Sequence, residues 1–166
     1  MAIARTSVQT ALTGAAGEHY VIGALLRRGV LAAAAPPGTS EVDLLIVDRS
    51  GSVSATVQVK TRLRGTSGWS MSSKHERIEG PGLFYAFVDW VDPMLPRSWI
   101  VPSAMVADYV RTSHASWLES PGRQGQPHNE TDMRRLEDRP QSFPLPERFM
   151  SGWMDIFSEA WHLLGG

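Results

Sequence analysis

Two adjacent segments constrain the fold of this chain more than any other part of its sequence. Residues 42–47 are apolar except for Asp43, which is typical of a strand that is covered on both faces. A short turn over residues 48–51 follows, and residues 53–61 then alternate between apolar and polar side chains. The pattern predicts two antiparallel strands joined by a hairpin turn.

Helical and extended patterns surround this hairpin. Apolar residues recur at three- and four-residue steps from Val8 to Arg28, which predicts an amphipathic helix that ends at Gly29. Further strands are predicted at residues 30–35, 83–90 and 98–101, and a second helix at residues 103–118. A surface excursion is predicted over residues 120–147, and a closing helix over residues 146–164. We therefore expect an α/β fold, with a central mixed β-sheet of about five strands flanked by helices. A single domain over residues 1–166 is expected, with its core at about 10–110 and the C-terminal loop and closing helix at 120–166.

The absence of cysteine excludes several classes of site. A chain without cysteine has no disulfide framework, no thiolate zinc site and no cysteine nucleophile. The sequence shows no targeting segment, and its longest apolar run, residues 30–37, is too short to span a bilayer. A cytoplasmic protein without membrane contact is the expectation.

Three polar residues of the hairpin form the candidate reaction centre. Gln58 and Lys60 are two residues apart, so they share one face of their strand, and counting outward from the turn places Asp43 opposite residue 57 or 58. A carboxylate, an amide oxygen and the Val59 carbonyl are the hard oxygen ligands that Mg²⁺ or Mn²⁺ prefers. The neighbouring Lys60 suits phosphodiester hydrolysis, and Glu18 completes the set if the first helix packs beside the hairpin. The alternatives are a strand-end turn contact for Asp43 and an edge-strand charge for Lys60.

Positive charge concentrates in the first half of the chain. Residues 1–80 carry 9 Lys and Arg against 6 Asp and Glu, whereas residues 81–166 carry 7 against 11. The basic segment is either a solvated loop or a surface that faces phosphate, and Trp69 within it either stacks on nucleic-acid bases or covers the core. The candidate nucleic-acid-binding residues are Arg62, Arg64, Trp69 and Lys74.

These motifs together resemble the PD-(D/E)XK nuclease superfamily. The similarity lies in Glu18 on the first helix, in Glu41-Val42-Asp43 before an apolar strand, and in Gln58-Val59-Lys60 on the next strand. It covers roughly residues 10–110 and is greatest to small bacterial members related to Holliday-junction resolvases and restriction endonucleases. The resemblance implies a metal ligand at Asp43, a catalytic lysine at Lys60 and a helix-borne acid at Glu18. Gln58 takes the place of the usual Glu or Asp and removes one negative charge, and Val42 stands where proline is usual.

Two hypotheses of different classes follow. The first is an Mg²⁺- or Mn²⁺-dependent endonuclease that hydrolyses phosphodiester bonds in DNA, with RNA as an open alternative substrate. The second is a catalytically weak or inactive module of the same fold that binds nucleic acid or a protein partner. A defence-associated or toxin-like protein of this fold is a third option. A homodimer is one option for the assembly, because cutting both strands commonly needs two sites.

Overall fold

The fold is α/β, with two helices, seven strands and several short 3₁₀ turns in the part of the chain that the structure describes. This computed structural model describes residues 7–63, 68–91 and 94–165. The elements are α1 (Ser7–Arg27), β1 (Leu31–Ala34), β2 (Leu44–Val47), β3 (Val53–Leu63), β4 (Trp69–Ser72), β5 (Leu83–Trp90), β6 (Arg97–Pro102), α2 (Ser103–Glu119) and β7 (Met133–Leu136). Neither helix in these ranges has the length and apolar character needed to cross a membrane.

Five strands form the central sheet in the order β1-β2-β3-β5-β6. The central pair β3 and β5 is parallel, and the other three pairs are antiparallel. This mixed sheet confirms the predicted fold class. Leu44 pairs with Val57, so Asp43 lies opposite Gln58, as counting outward from the turn predicts.

Each face of the sheet is covered by a separate part of the apolar core. Strand β5 shows this division directly, since Ala86 and Val88 face α1 whereas Tyr85 and Phe87 face α2. All four of these residues are fully buried. The alternation on β3 matches it: Val57 joins the core beneath α1, so Gln58 and Lys60 point to the α2 side.

A second, two-stranded sheet was not predicted from the sequence. Strands β4 and β7 pair antiparallel, and Trp69 lies opposite Leu136. The prediction of a surface excursion over residues 120–147 is therefore wrong at its centre, where Leu136 is fully buried. The pairing joins segments more than sixty residues apart in sequence, which no local pattern reports.

The predicted closing helix over residues 146–164 is also wrong. This region instead contains three separate 3₁₀ turns, at Glu147–Phe149, Asp155–Phe157 and Trp161–Leu164. Gly152 and Glu159 lie between them with φ of 85° and 50°, and such left-handed residues interrupt an α-helix. The segment nevertheless packs on the sheet, where Phe149 and Trp161 are both buried in its core.

Candidate active site

Asp43 extends the pairing of β2 and β3 with its side chain. Its backbone N–H donates to the Val57 carbonyl at 2.9 Å, and its Oδ2 accepts from the Val59 N–H at 2.7 Å. Strand β2 begins only at Leu44, so the carboxylate takes the place of the next backbone acceptor. This bond fixes the carboxylate at the edge of β3, beside Gln58 and Lys60.

Two oxygen atoms of β3 lie near this carboxylate. The N–H and C=O of one strand residue point to the same side, so the Val59 carbonyl faces the edge that Asp43 occupies. Gln58 is 7% exposed, and its Oε1 is buried without a hydrogen-bond partner. An unpaired buried amide oxygen costs about 1–3 kcal/mol, which a cation or a donor at this position would offset.

Lys60 lies partly buried on the same face as Gln58. Burial lowers the pKa of its ammonium group, and the charge of Lys74 lowers it further, whereas Asp43 and Glu41 oppose both effects. Loss of hydration disfavours the charged form of an amine, and nearby carboxylates favour it. Lys60 therefore lies within electrostatic reach of two carboxylates.

Glu18 approaches the same edge from α1. Burial raises the pKa of its carboxyl group, and the charge of Asp43 adds to this shift. The preceding residue allows the helix to approach, because a Cβ on Gly17 would stand 1.9 Å from the Thr61 Oγ1. The structure thus brings all four predicted residues, Glu18, Asp43, Gln58 and Lys60, to one end of β2 and β3.

Glu41 belongs to the same region, although it was not among the site residues predicted from the sequence. Its Oε1 accepts a hydrogen bond from the Lys74 Nζ at 3.0 Å, and its Oε2 is buried without a partner. The residue has φ of 67°, a strained conformation for a glutamate and one that is common at functional sites. The two-residue spacing of Glu41 and Asp43 would place both side chains on one face of a strand, and this was the sequence signal available for Glu41. Residues 40–42 are not part of a strand, however, so the spacing does not apply.

The predicted nucleic-acid-binding residues do not form one surface. Trp69 is 1% exposed and donates from Nε1 to the Val88 carbonyl, so it is a core residue and not a platform for bases. Arg62 pairs with the fully buried Asp89 at 2.8 Å, and its guanidinium lies 3.6 Å from the centre of the Trp69 ring. This residue is thereby tied to the core. Lys74 is 55% exposed, and Arg64 lies outside the described residues.

The oxygen atoms at this edge suit a hard divalent cation, with one deficit. Carboxylate, amide and carbonyl oxygens are the donors that Mg²⁺ and Mn²⁺ accept, and the unpartnered Gln58 Oε1 is consistent with such a ligand. Among the described residues, however, no three His, Asp or Glu side chains are grouped closely enough to hold a metal ion. The amide at position 58 contributes to this deficit, since it supplies an oxygen without a charge.

A cavity of about 510 Å³ lies elsewhere, between α2 and β7. Aromatic and basic side chains line it, among them Tyr109, Trp117 and Arg135. None of Glu18, Asp43, Gln58 or Lys60 lines this cavity, so its position gives no support to a reaction centre there. The convergence of polar groups at the end of β2 and β3 is the better candidate.

Comparison with known proteins shows that the fold is similar to that of a nuclease. No family model matches the sequence, and no curated protein matches it either. Among solved structures, the chain resembles the bacterial homing endonuclease I-Ssp6803I, with a TM-score of 0.50 and 16% sequence identity. The alignment covers 97% of this chain and 92% of that chain. At this identity the likeness concerns the fold.

Proposed function

We propose that the protein is a metal-dependent nuclease that hydrolyses phosphodiester bonds in DNA. The observation that carries the proposal is the convergence of Asp43, Gln58 and Lys60, fixed by the hydrogen bond from the Val59 N–H to the Asp43 carboxylate. The resemblance to PD-(D/E)XK nucleases and the fold likeness to a homing endonuclease support the same chemistry. In this proposal the cation is Mg²⁺ or Mn²⁺.

The proposed ligands are Asp43, the Gln58 amide oxygen and the Val59 carbonyl, with Glu18 as an additional acid. A cation held there would lower the pKa of water and offset charge on the scissile phosphate. Lys60 would donate hydrogen bonds to the attacking water or to a phosphate oxygen, and its partial burial strengthens that interaction. Lys74, which is half-exposed, is the proposed phosphate contact outside the reaction centre.

A second candidate is a module of the same fold that binds nucleic acid or a protein partner without cutting. The observation in its favour is the neutral Gln58, together with the absence, among the described residues, of any three His, Asp or Glu side chains grouped for a metal ion. The two candidates differ in divalent-cation binding, because a site that has lost its chemistry has no need to retain the ion. Calorimetric titration with Mn²⁺ measures this difference.

The decisive test is cleavage of supercoiled plasmid and labelled single-stranded DNA with Mg²⁺ or Mn²⁺. We expect cleavage that needs the cation and falls at least about 100-fold in Lys60→Ala, since removal of one positioned donor from a reaction centre has this effect. Lys60→Met keeps the apolar stem and separates loss of charge from loss of packing. Arg123→Ala, at an exposed position, is the matched surface control.

Each other outcome has a definite meaning. Equal cleavage by the parent and both Lys60 variants would place the activity at another site or in a contaminant. No cleavage by any of the proteins on any of the substrates, together with no cation binding, would favour the binding module.

A further inference from the structure

Four buried polar atoms lie behind Lys60 without a hydrogen-bond partner. They are the Glu41 Oε2, the Gln58 Oε1, the His75 Nε2 and the Tyr85 hydroxyl oxygen, and we call them the buried polar cluster. Unpartnered buried polar atoms are rare in folded proteins, because their hydration is lost without replacement. Four such atoms in one region therefore need a physical explanation.

Three kinds of observation place these side chains together. Gln58 and Tyr85 are register neighbours on the parallel strands β3 and β5, so they share a face of the sheet. The rings of His75 and Tyr85 have centroids 6.1 Å apart. Glu41 is held beside His75 by the hydrogen bond from the Nζ of the adjacent Lys74 to its Oε1 at 3.0 Å, and its charge contributes to the pKa shifts of both rings. His75 and Tyr85 are 2% and 0% exposed, so the cluster lies inside the protein.

The hydrogen bonds of Ser72 define the protonation of His75. The Ser72 N–H donates to the His75 Nδ1 at 3.0 Å, and the Ser72 hydroxyl lies 3.1 Å from the same nitrogen. The Ser72 carbonyl is also 3.1 Å away, but a backbone N–H requires a lone pair, so Nδ1 is the acceptor. In the neutral ring the proton is then on Nε2, and burial favours the neutral ring by lowering the pKa of His75.

The cluster thus contains matched hydrogen-bonding groups. The His75 Nε2–H and the Tyr85 O–H are donors, whereas the Glu41 Oε2 and the Gln58 Oε1 are acceptors. None of them is bonded directly to another. An internal water molecule needs two to four polar partners, and this cluster offers four.

We propose that His75 and Tyr85 are positioning residues, which hold the Glu41 carboxylate and the Gln58 amide oxygen beside Lys60 through internal water. Glu41 then has both oxygens engaged, one by Lys74 and the other by the cluster. Gln58 keeps a fixed orientation at the edge where Asp43 lies. The positioning role rests on the proposed nuclease function, whereas the water-bridged cluster is a property of the folded chain alone.

Thermal unfolding of Tyr85→Phe tests the cluster without any activity. A hydroxyl bonded to internal water stabilises the fold, so its removal lowers the melting temperature by about 2–4 °C. A hydroxyl that is buried without a partner destabilises the fold, so its removal raises the melting temperature. Tyr109→Phe calibrates the measurement, since the Tyr109 hydroxyl accepts a hydrogen bond from the Glu137 N–H at 3.2 Å. A higher melting temperature for Tyr85→Phe than for the parent would overturn the proposal.

A matched pair of His75 variants tests the positioning role by plasmid cleavage. His75→Gln keeps a donor near the Nε2 position, and His75→Asn keeps an acceptor near the Nδ1 position for Ser72. We expect kcat of His75→Asn to fall about tenfold or more with KM little changed, and His75→Gln to retain most of the parent kcat. The reverse order would show that only the contact with Ser72 matters and would overturn the positioning role. If the parent does not cleave DNA, the nuclease function fails, and the melting temperature of Tyr85→Phe still decides the cluster.

Discussion

Gln58 is the residue at which the structure and the proposed chemistry meet most directly. Its amide oxygen is buried at the edge where Asp43 and the Val59 carbonyl converge, yet it contributes no charge. A neutral ligand lowers the attraction for a divalent cation, but it also avoids burying a second carboxylate near Asp43. We expect the amide to favour the stability of the metal-free fold over affinity for the ion.

Gln58→Glu tests this balance. Without divalent cations, the variant should melt at a lower temperature than the parent, because a buried carboxylate loses hydration and lies near Asp43. With Mg²⁺ or Mn²⁺ it should show a larger rise in melting temperature than the parent, since an ion that binds only the folded state stabilises it. Thermal unfolding with EDTA and across a cation titration measures both effects.

The exposed Gln124→Glu is the control for the added charge, and its response to cations should match that of the parent. A Gln58→Glu variant that melts lower and shows no response to either cation would contradict the proposed cation site. We predict no comparable effect for a substitution of Glu41, because its Oε1 already accepts a hydrogen bond from Lys74.

At the scale of elements, the position of α1 on β3 determines where Glu18 lies. The helix can approach the strand this closely because Gly17 has no side chain. A Cβ at this position would stand 1.9 Å from the Thr61 Oγ1. The glycine is therefore required by close approach of the helix to the strand. From sequence alone a glycine within a helix indicates only a weaker helix, since its partner across the interface is not visible in a single pattern.

Gly17→Ala should destabilise the protein by about 1–3 kcal/mol, because the added methyl group forces α1 away from β3. Gly23→Ala, on the same helix with open space around its Cβ, should instead stabilise by about 0.5–1 kcal/mol through the helical preference of alanine. Urea denaturation measures both. Gly17→Ala should also reduce cleavage, as it displaces Glu18. Equal effects of the two substitutions on stability would show that the helix does not approach Thr61 this closely.

The sequence predicted the central mixed sheet and the pairing of β2 with β3, but neither the strand order nor the second sheet. Strands β2, β3 and β5 carry long apolar or alternating patterns, and the turn between β2 and β3 defines the register of that pair. Strand β7 has four residues, of which Arg134 is buried and Arg135 exposed, so its composition does not indicate a strand. Arg134 is buried because Glu76 and Glu130 pair with it, and these partners come from distant or irregular segments.

At the scale of the whole molecule, the C-terminal segment joins the two parts of the core. Phe149, Met154 and Phe157 pack on the α2 side of the sheet, whereas Ala160, Trp161 and Leu164 pack on the α1 side. The same apolar residues suggested one amphipathic helix, because their spacing is helical. A helix presents a single face, and the chain crosses from one side of the sheet to the other between Phe157 and Ala160, where the left-handed Glu159 breaks the path.

Trp161 and Ile156 distinguish this arrangement from a continuous helix. Trp161 is 2% exposed and donates from Nε1 to the Glu159 Oε2 at 2.8 Å, so Trp161→Ala should cost about 3–5 kcal/mol in the free energy of unfolding. Ile156, which the helical pattern places on the buried face, is 77% exposed, and Ile156→Ala should change stability by no more than about 0.5 kcal/mol. Chemical denaturation of the two variants beside the parent measures both values. A single closing helix would make both substitutions costly, so a loss of about 2 kcal/mol or more for Ile156→Ala would contradict the segmented path that joins the two sides of the sheet.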